Sequence, residues 1–223
     1  MRQLKNVVAI DFDGPEIGFV WLERLESGYF SVVDSHLFLV PVTQSDTGRQ
    51  NSNGIPADWH RTGKFNYLTA HEFVLEFRAK LLPRMARPDI TIIVNGPADL
   101  PKLSRRLFLK KRDITQMNFA VINLHPWDVR STKPYHLTAR EYRQNNWLNL
   151  CDQTIHSQFQ PDPSDKNFTY KRDHGPHCAV YDALECAFYL NQMWGSKGEQ
   201  MYHLIDFNCP KPEPTKFPFS AKR

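Results

Sequence analysis

The chain has 223 residues, of which 41% are hydrophobic and 23% are charged, and its formal net charge is +4. This length is enough for one sizeable folded domain. The longest apolar runs are only strand-sized, well short of the roughly 20 residues that a membrane span requires, so we expect no membrane-spanning segment.

The N-terminus shows no apolar signal core, which makes a cytoplasmic or nuclear location the expectation. Four cysteines in such a chain are expected to be thiols or metal ligands rather than a disulfide framework. The small positive charge is compatible with a polyanionic partner but does not require one.

Three strand patterns follow one another in the first 40 residues. The apolar run over residues 6–13 predicts a buried strand that ends in carboxylates, and residues 17–22 predict a second strand after a Gly-Pro turn. Residues 29–40 are rich in β-branched and aromatic side chains. We expect antiparallel strands joined by short turns.

Helix and strand patterns alternate through the rest of the chain. In order, they predict a loop over 43–62, a helix over 69–82, a strand over 89–95, a helix from residue 99, a strand over 118–124, a helix over 138–155, a polar connection over 158–176 and a helix over 178–194. Thr69 is expected to cap its helix, with Phe73 and Phe77 on the buried face and Pro83 ending it. This order predicts a mixed α/β domain over residues 1–209, followed by a flexible C-terminal tail over 210–223.

Several carboxylates occur where buried strands end or helices begin. Asp11 and Asp13 are two apart on a strand and therefore point to the same side. Asp99 follows another buried strand, Asp182 lies near the start of the last helix, and His177 precedes it by five residues. Hydrolysis of nucleic acid by two metal ions needs such carboxylates from separate elements, and a histidine can accept a proton from the attacking water. The alternative is that these aspartates only cap helices and turns.

The order of these groups resembles the signature of DEDDh 3′–5′ exonucleases: a D-x-D/E strand, a strand followed by Asp, then H-x4-D-A-x3-A. Asp13 stands where that family usually has Glu. The resemblance implies an RNase H-like fold with a central mixed β-sheet flanked by helices. It also implies a pair of Mg²⁺ or Mn²⁺ ions on Asp11, Asp13, Asp99 and Asp182, His177 as general base, and single-stranded RNA or DNA as substrate.

A second set of residues has the chemistry of zinc ligands. Cys151 and His156 form a Cys-x4-His pair in an expected helix, and Cys178 opens the last helix. Alternatively, these cysteines are small buried residues that only pack in the core.

A closer resemblance, to the Maelstrom domain, is carried by Pro-Glu-Ile-Gly-Phe-Val from residue 15, by Asp-Ser-His-Leu-Phe from residue 34 and by the Cys and His set. The family's ordered ligand pattern maps onto Glu16, His36, His60, Cys151, His156 and Cys178. The resemblance implies a structural zinc site on Glu16, Cys151, His156 and Cys178. The Cys-to-His spacing is longer than the expected Cys-x2-His, which leaves His174 as a substitute for His156. Animal Maelstrom domains have typically lost the metal-binding carboxylates, and the family is linked to small-RNA-guided transposon silencing and to single-stranded RNA.

The helix expected from Asp99 is amphipathic. Leu100, Leu103 and Leu107 are expected to face inward, with Lys102 facing out. A row of basic residues shares this outward face: Arg105, Arg106, Lys110, Lys111 and Arg112. The row is a candidate for contacts with a nucleic-acid backbone, and a solvated helix face is the alternative.

Three functional hypotheses follow. The first is a metal-dependent nuclease that acts on single-stranded nucleic acid, with zinc only stabilising the fold. The second is a Maelstrom-like scaffold that binds RNA or silencing proteins without cleaving RNA. The third is an ordinary α/β protein in which the aspartates are caps and the cysteines belong to the core.

Overall fold

A computed structural model of the chain describes residues 4–40, 66–122, 147–158, 179–194 and 205–215. Within these ranges the strands are β1 (Asn6–Asp13), β2 (Glu16–Arg24), β3 (Phe30–Leu39), β4 (Ile90–Asn95), β5 (Asn118–Ile122) and β6 (Ile205–Asp206). The helices are α1 (Ala70–Lys80), α2 (Leu82–Met85), α3 (Leu100–Arg106), α4 (Lys111–Gln116), α5 (Trp147–Ser157) and α6 (Ala179–Trp194). The loop expected over 43–62 and the connection expected over 158–176 lie outside the described residues, apart from residue 158.

The strands form one mixed sheet in the order β3-β2-β1-β4-β5-β6. β2 pairs antiparallel with both β1 and β3, whereas β4 pairs parallel with both β1 and β5, and β6 returns antiparallel to β5. The expectation of a mixed α/β fold with a central sheet is confirmed. Because β1, β4 and β5 run in the same direction, their C-terminal ends meet at one edge of the sheet.

Helices cover both faces of the sheet. On one face, Val7 and Ala9 of β1 pack in a core with residues of α5 and α6. On the other face, Val8 and Ile10 pack in a core with residues of α1 to α4. Burial on both faces explains why β1 is an almost continuous apolar run rather than an alternating one. Among the helices that the structure describes, none has the length and apolar character that crossing a membrane would require.

The helix expected over 69–82 is confirmed. The Thr69 hydroxyl accepts a hydrogen bond from the Glu72 amide, and the Glu72 carboxylate accepts one from the Thr69 amide, which completes a capping box. Phe73 and Phe77 are fully buried, as expected. Pro83 does not end the helical region, because it lies in the first turn of α2, where no amide donor is needed.

One expected helix is divided in two. α3 ends at Arg106, Phe108 takes a left-handed φ of 51°, and α4 begins at Lys111. The carboxylate of Asp113 accepts a hydrogen bond of 2.7 Å from the Lys110 amide, which caps the new helix. The expectation of a single basic row along one helix is therefore wrong, because Lys110 to Arg112 lie at the start of a separate helix.

The C-terminal segment is more ordered than expected. β6 was not predicted, and residues 210–215, expected to be part of a flexible tail, pack against α3 and α4. The Lys211 ammonium donates hydrogen bonds of 3.2 to 3.3 Å to three carbonyl oxygens, those of Ile114, Thr115 and Met117. Pro212 is buried, and the Thr215 amide donates to the Leu109 carbonyl at 3.0 Å. Local composition did not indicate this because these partners lie about 100 residues earlier in the sequence.

Candidate functional site

Four aspartates come together at the edge of the sheet where β1 and β4 end. Asp11 and Asp13 share the face of β1 that packs against α6, because they alternate in step with Val7 and Ala9. Asp99 follows β4 and precedes α3, and Asp182 lies in the first turn of α6. The expected proximity of these groups can be tested through their electrostatic influence on Asp11.

The pKa of Asp11 is raised well above its usual value, first by burial and then by the negative charges of Asp182, Asp99 and Asp13, in that order. Such coupling requires the four carboxylates to share a small, poorly solvated region. Three separate elements supply them: the end of β1, the junction of β4 and α3, and the start of α6. His177, the expected general base, lies outside the described residues.

Gly18 explains how Asp182 reaches this position. It pairs with Asp11 in the antiparallel β1–β2 ladder. A Cβ atom on Gly18 would lie 2.2 Å from the carbonyl carbon of Ala179 and 2.4 Å from the amide nitrogen of Val180. The first turn of α6 therefore rests directly on the β2 backbone beside Asp11, which brings Asp182 over the end of β1.

Hydrogen bonds hold α6 near both of its ends. The carboxylate of Glu16, which is only 2% exposed, accepts a bond of 3.0 Å from the amide of Ala179, the first residue of the helix. A carboxylate at this end is stabilised by the helix dipole. Toward the other end, the side-chain amide of Asn191 accepts from the Phe30 amide at 2.6 Å and donates to the Phe30 carbonyl at 2.9 Å. These bonds fix the helix that carries Asp182 relative to β2 and β3.

Lys102 contacts the group of Asp11, Asp13, Asp99 and Asp182, which we call the acidic site. The sequence pattern does not predict this contact. The amphipathic pattern of the helix predicts that Lys102 faces solvent. Its side chain is 44% exposed, in line with this pattern, but its ammonium lies 2.6 Å from a carboxylate oxygen of Asp99, and its positive charge opposes the rise in the pKa of Asp11. The available signal was its spacing from Asp99, because side chains three residues apart are neighbours at the surface of a helix.

Glu185 and Cys186 lie on the next turn of α6. Burial raises the pKa of Glu185 to about 7, although a hydrogen bond from the Tyr189 hydroxyl at 3.4 Å partly opposes this. The thiol of Cys186 is buried, and its pKa is raised well above the usual value, first by burial and then by the charge of Asp11. Cys186 therefore stays a protonated, apolar neighbour of the acidic site.

The donor set of the acidic site suits Mg²⁺ or Mn²⁺, which prefer carboxylate oxygens. In the described part of the chain, however, no three His, Cys, Asp or Glu side chains are arranged closely enough to hold a metal ion. The carboxylate of Asp99 is in addition engaged by Lys102. The site concentrates negative charge, and direct coordination by Asp99 requires this ion pair to open.

The structure describes two of the four expected zinc ligands, and each has a partner within the protein. Glu16 binds the Ala179 amide, and Cys151 is fully buried beside Ser35. Burial raises the pKa of the Cys151 thiol to about 12, and a hydrogen bond with Ser35 partly opposes this. The side chain of His156 and all of Cys178 lie outside the described part, as does the substitute, His174. The zinc site remains a prediction.

His36 lies on the opposite face of the sheet from Cys151. Its Nε2 is 3.1 Å from the Asp34 carboxylate, which also accepts a bond of 2.7 Å from Arg84. The Arg84 guanidinium in turn lies 3.8 Å from the ring centre of Trp21. His36 thus belongs to a partly exposed polar cluster that also contains the Arg84–Asp34 ion pair, and His60 lies outside the described residues.

The expectation that Arg106 faces outward with the other basic residues is wrong. Arg106 is only 8% exposed, and its guanidinium donates hydrogen bonds to the carbonyls of Gly14 at 2.7 Å and Glu16 at 3.3 Å. It lies 5.7 Å from the ring centre of Phe12. Arg106 therefore supports the turn between β1 and β2, since these buried carbonyls need a donor. The other members of the row are exposed: Arg105, Lys110, Lys111 and Arg112.

Neither a scan of the sequence against protein-family models nor a search of curated proteins found a match. Function is therefore inferred from the residues of this chain and their arrangement.

Proposed function

We propose that the chain is a metal-dependent nuclease of RNase H-like fold that acts as a 3′–5′ exonuclease on single-stranded nucleic acid, with RNA as the favoured substrate. The observation that carries the proposal is that the buried Asp11, at the end of β1, is under the negative charges of Asp182, Asp99 and Asp13, which come from the same edge of the sheet. Four carboxylates from three elements in one poorly solvated region are costly for the fold unless cations compensate them.

The order of the elements supports the RNase H-like part of the proposal. Three antiparallel strands come first, helices and parallel strands then alternate, and a long helix follows on one face of the sheet. The RNase H-like fold has this order of elements. The edge that carries the aspartates is the carboxyl end of the parallel strands, where α/β folds commonly bind ligands.

Each part of the chain has a role in the proposed chemistry. The four aspartates would hold a pair of Mg²⁺ or Mn²⁺ ions, which when bound would supply Lewis acidity at the scissile phosphate and an activated water. Residues of β2 and β3 keep Asp182 in place through α6. His177 is proposed to accept the proton of the attacking water, and the exposed cations Arg105, Lys110, Lys111 and Arg112 are proposed to contact substrate phosphates. Zinc on Glu16, Cys151, His156 and Cys178 is proposed as a structural ion only.

A second candidate function is a Maelstrom-like scaffold that binds RNA in a small-RNA silencing pathway without cleaving it. The ion pair between Lys102 and Asp99 favours this alternative, because it occupies a carboxylate that the nuclease would need for metal. Both functions predict binding of single-stranded RNA, so only hydrolysis separates them.

The decisive experiment measures degradation of end-labelled single-stranded RNA and DNA with Mn²⁺, Mg²⁺ or a chelator. We expect Mn²⁺-dependent shortening from the 3′ end, abolished in Asp11→Asn and Asp182→Asn. Glu26→Gln, which removes an exposed carboxylate in the β2–β3 turn, is the matched control and should retain activity. RNA binding without hydrolysis under any divalent metal would support the scaffold, and absence of both would overturn both candidates.

A further inference from the structure

Lys102 and Asp99 differ in their freedom to move. The side chain of Lys102 is 44% exposed, whereas that of Asp99 is 13% exposed. Lys102 lies on α3, three residues after Asp99, and its long side chain can rotate toward water without disturbing the helix. Asp99 is confined at the junction of β4 and α3. If the ion pair opens, the lysine is therefore the partner that leaves.

The positive charge of Lys102 offsets repulsion among the carboxylates of the acidic site. Within the described residues, the carboxylate of Asp11 receives no hydrogen bond or ion pair, yet it faces Asp182, Asp99 and Asp13. Like charges that act on one another in a poorly solvated region destabilise the folded protein unless a cation offsets them. The Lys102 ammonium supplies one positive charge to this group from a position bonded to Asp99.

A divalent cation and the ammonium compete for the same carboxylate. The ammonium binds an oxygen of Asp99 at 2.6 Å. Mg²⁺ and Mn²⁺ require carboxylate oxygens at about 2.0 to 2.2 Å and carry twice the charge. A positive group beside an incoming cation also repels it, so the two cannot occupy the site together without a penalty.

We propose that Lys102 is an internal counter-cation, which holds Asp99 while the acidic site is free of metal and withdraws into solvent when divalent cations bind. The inference rests on the metal site of the proposed function and adds a regulatory feature to it. The affinity of the site for divalent cations then depends on its carboxylates. The free energy needed to displace Lys102 from Asp99 lowers this affinity.

The test compares wild type with Lys102→Met and Lys102→Arg in calorimetric titrations with MnCl2 alone. We expect Lys102→Met to bind Mn²⁺ more tightly, on the order of 10-fold, because no charge has to be displaced. Lys102→Arg keeps the charge and should bind no more tightly than wild type. Lys5→Met, which removes an exposed lysine just before β1, is the control and should match wild type.

A second measurement needs no metal. In a chelator, Lys102→Met should melt about 2 °C below wild type, because the repulsion among the aspartates is no longer offset. Lys5→Met should melt like wild type. The proposal that Lys102 is a counter-cation would be overturned by equal melting temperatures of the two methionine variants. It would also be overturned by equal Mn²⁺ affinities of wild type and Lys102→Met.

The outcomes distinguish this inference from the nuclease. Mn²⁺ binding that is the same in wild type and Lys102→Met overturns the inference alone. Tighter binding in Lys102→Met, with no hydrolysis by any variant, supports the inference and overturns the nuclease. No Mn²⁺ binding by any variant overturns both.

Discussion

Gly18 and Ala179 are in direct backbone contact: a Cβ atom on Gly18 would lie 2.2 Å from the carbonyl carbon of Ala179. This contact joins the third residue of β2 to the first residue of α6. Because Gly18 is also the ladder partner of Asp11, the position of Asp182 relative to Asp11 depends on it. A single missing side chain therefore determines how closely the helix approaches the acidic site.

Replacing Gly18 with alanine should displace the start of α6. The added methyl group meets backbone atoms, which cannot rotate away, so we expect a loss of about 3 kcal/mol in the free energy of unfolding. Urea unfolding measures this loss, and Mn²⁺-dependent hydrolysis should fall with it. Val33→Ala, at an exposed position on β3, should cost far less. If Gly18→Ala and Val33→Ala had the same free energy of unfolding, the close contact between the backbones of Gly18 and Ala179 would be contradicted.

Glu16 has one role seen in the structure and one predicted, and two variants separate them. Glu16→Ala removes the acceptor of the Ala179 amide and should cost about 1–3 kcal/mol of stability. Glu16→Gln keeps an acceptor oxygen and should cost less. Urea unfolding measures both losses, and elemental analysis of the same samples measures zinc.

The zinc prediction gives a separate result in these samples. If Glu16 is a ligand, both variants should lose zinc, because a neutral amide is a much poorer ligand than a carboxylate. Zinc content equal to that of wild type in both variants would exclude Glu16 as a ligand. A wild-type protein without zinc would contradict the zinc site and leave the capping role standing.

Arg105 and Arg106 are adjacent in sequence but should respond to mutation in opposite ways. Arg106→Met removes the donor for two carbonyls at the β1–β2 turn and should destabilise the protein by about 2 kcal/mol. Arg105→Met changes an exposed side chain, so stability should stay within about 0.5 kcal/mol while affinity for single-stranded RNA falls. Urea unfolding and fluorescence anisotropy at two salt concentrations check the pair. Loss of RNA affinity without loss of stability in Arg106→Met would contradict its placement.

Glu185 should make stability depend on pH between pH 4.5 and 7. Burial raises its pKa from 4.5 to about 7, so in this range the folded protein binds a proton that the unfolded chain releases. This contribution to stability is fully present below pH 4.5 and is lost as the pH rises through 7. Glu185→Gln lacks this proton linkage. The free energy of unfolding of Glu185→Gln, relative to that of wild type, should therefore rise by about 2 kcal/mol between pH 4.5 and pH 8. This value allows for partial solvation of the site.

Urea unfolding at several pH values measures this difference. Glu26→Gln, which removes an exposed carboxylate in the β2–β3 turn, is the control for the Glu-to-Gln change itself. If the difference in free energy of unfolding between Glu185→Gln and wild type did not change with pH, the Glu185 carboxyl group would not be buried in solution.

Much of the fold could be predicted from sequence because its signals are local. The apolar run of β1, the Thr69 cap of α1 and the placement of aspartates at strand and helix ends are all patterns of neighbouring residues. Such patterns decide which segment becomes a strand or a helix. The two-residue period of a strand likewise suffices to predict that Asp11 and Asp13 lie on one side of β1.

The role of each charged side chain was decided by tertiary structure. Arg105 and Arg106 look alike in sequence, yet one is exposed and the other is bonded to carbonyls about 90 residues earlier. Lys102 is partly exposed, as expected, but also forms an ion pair with Asp99, and Lys211 bonds to carbonyls near the end of α4. The physical reason is that secondary structure depends mainly on neighbours along the chain. The partner of a polar group depends instead on which distant segment packs beside it.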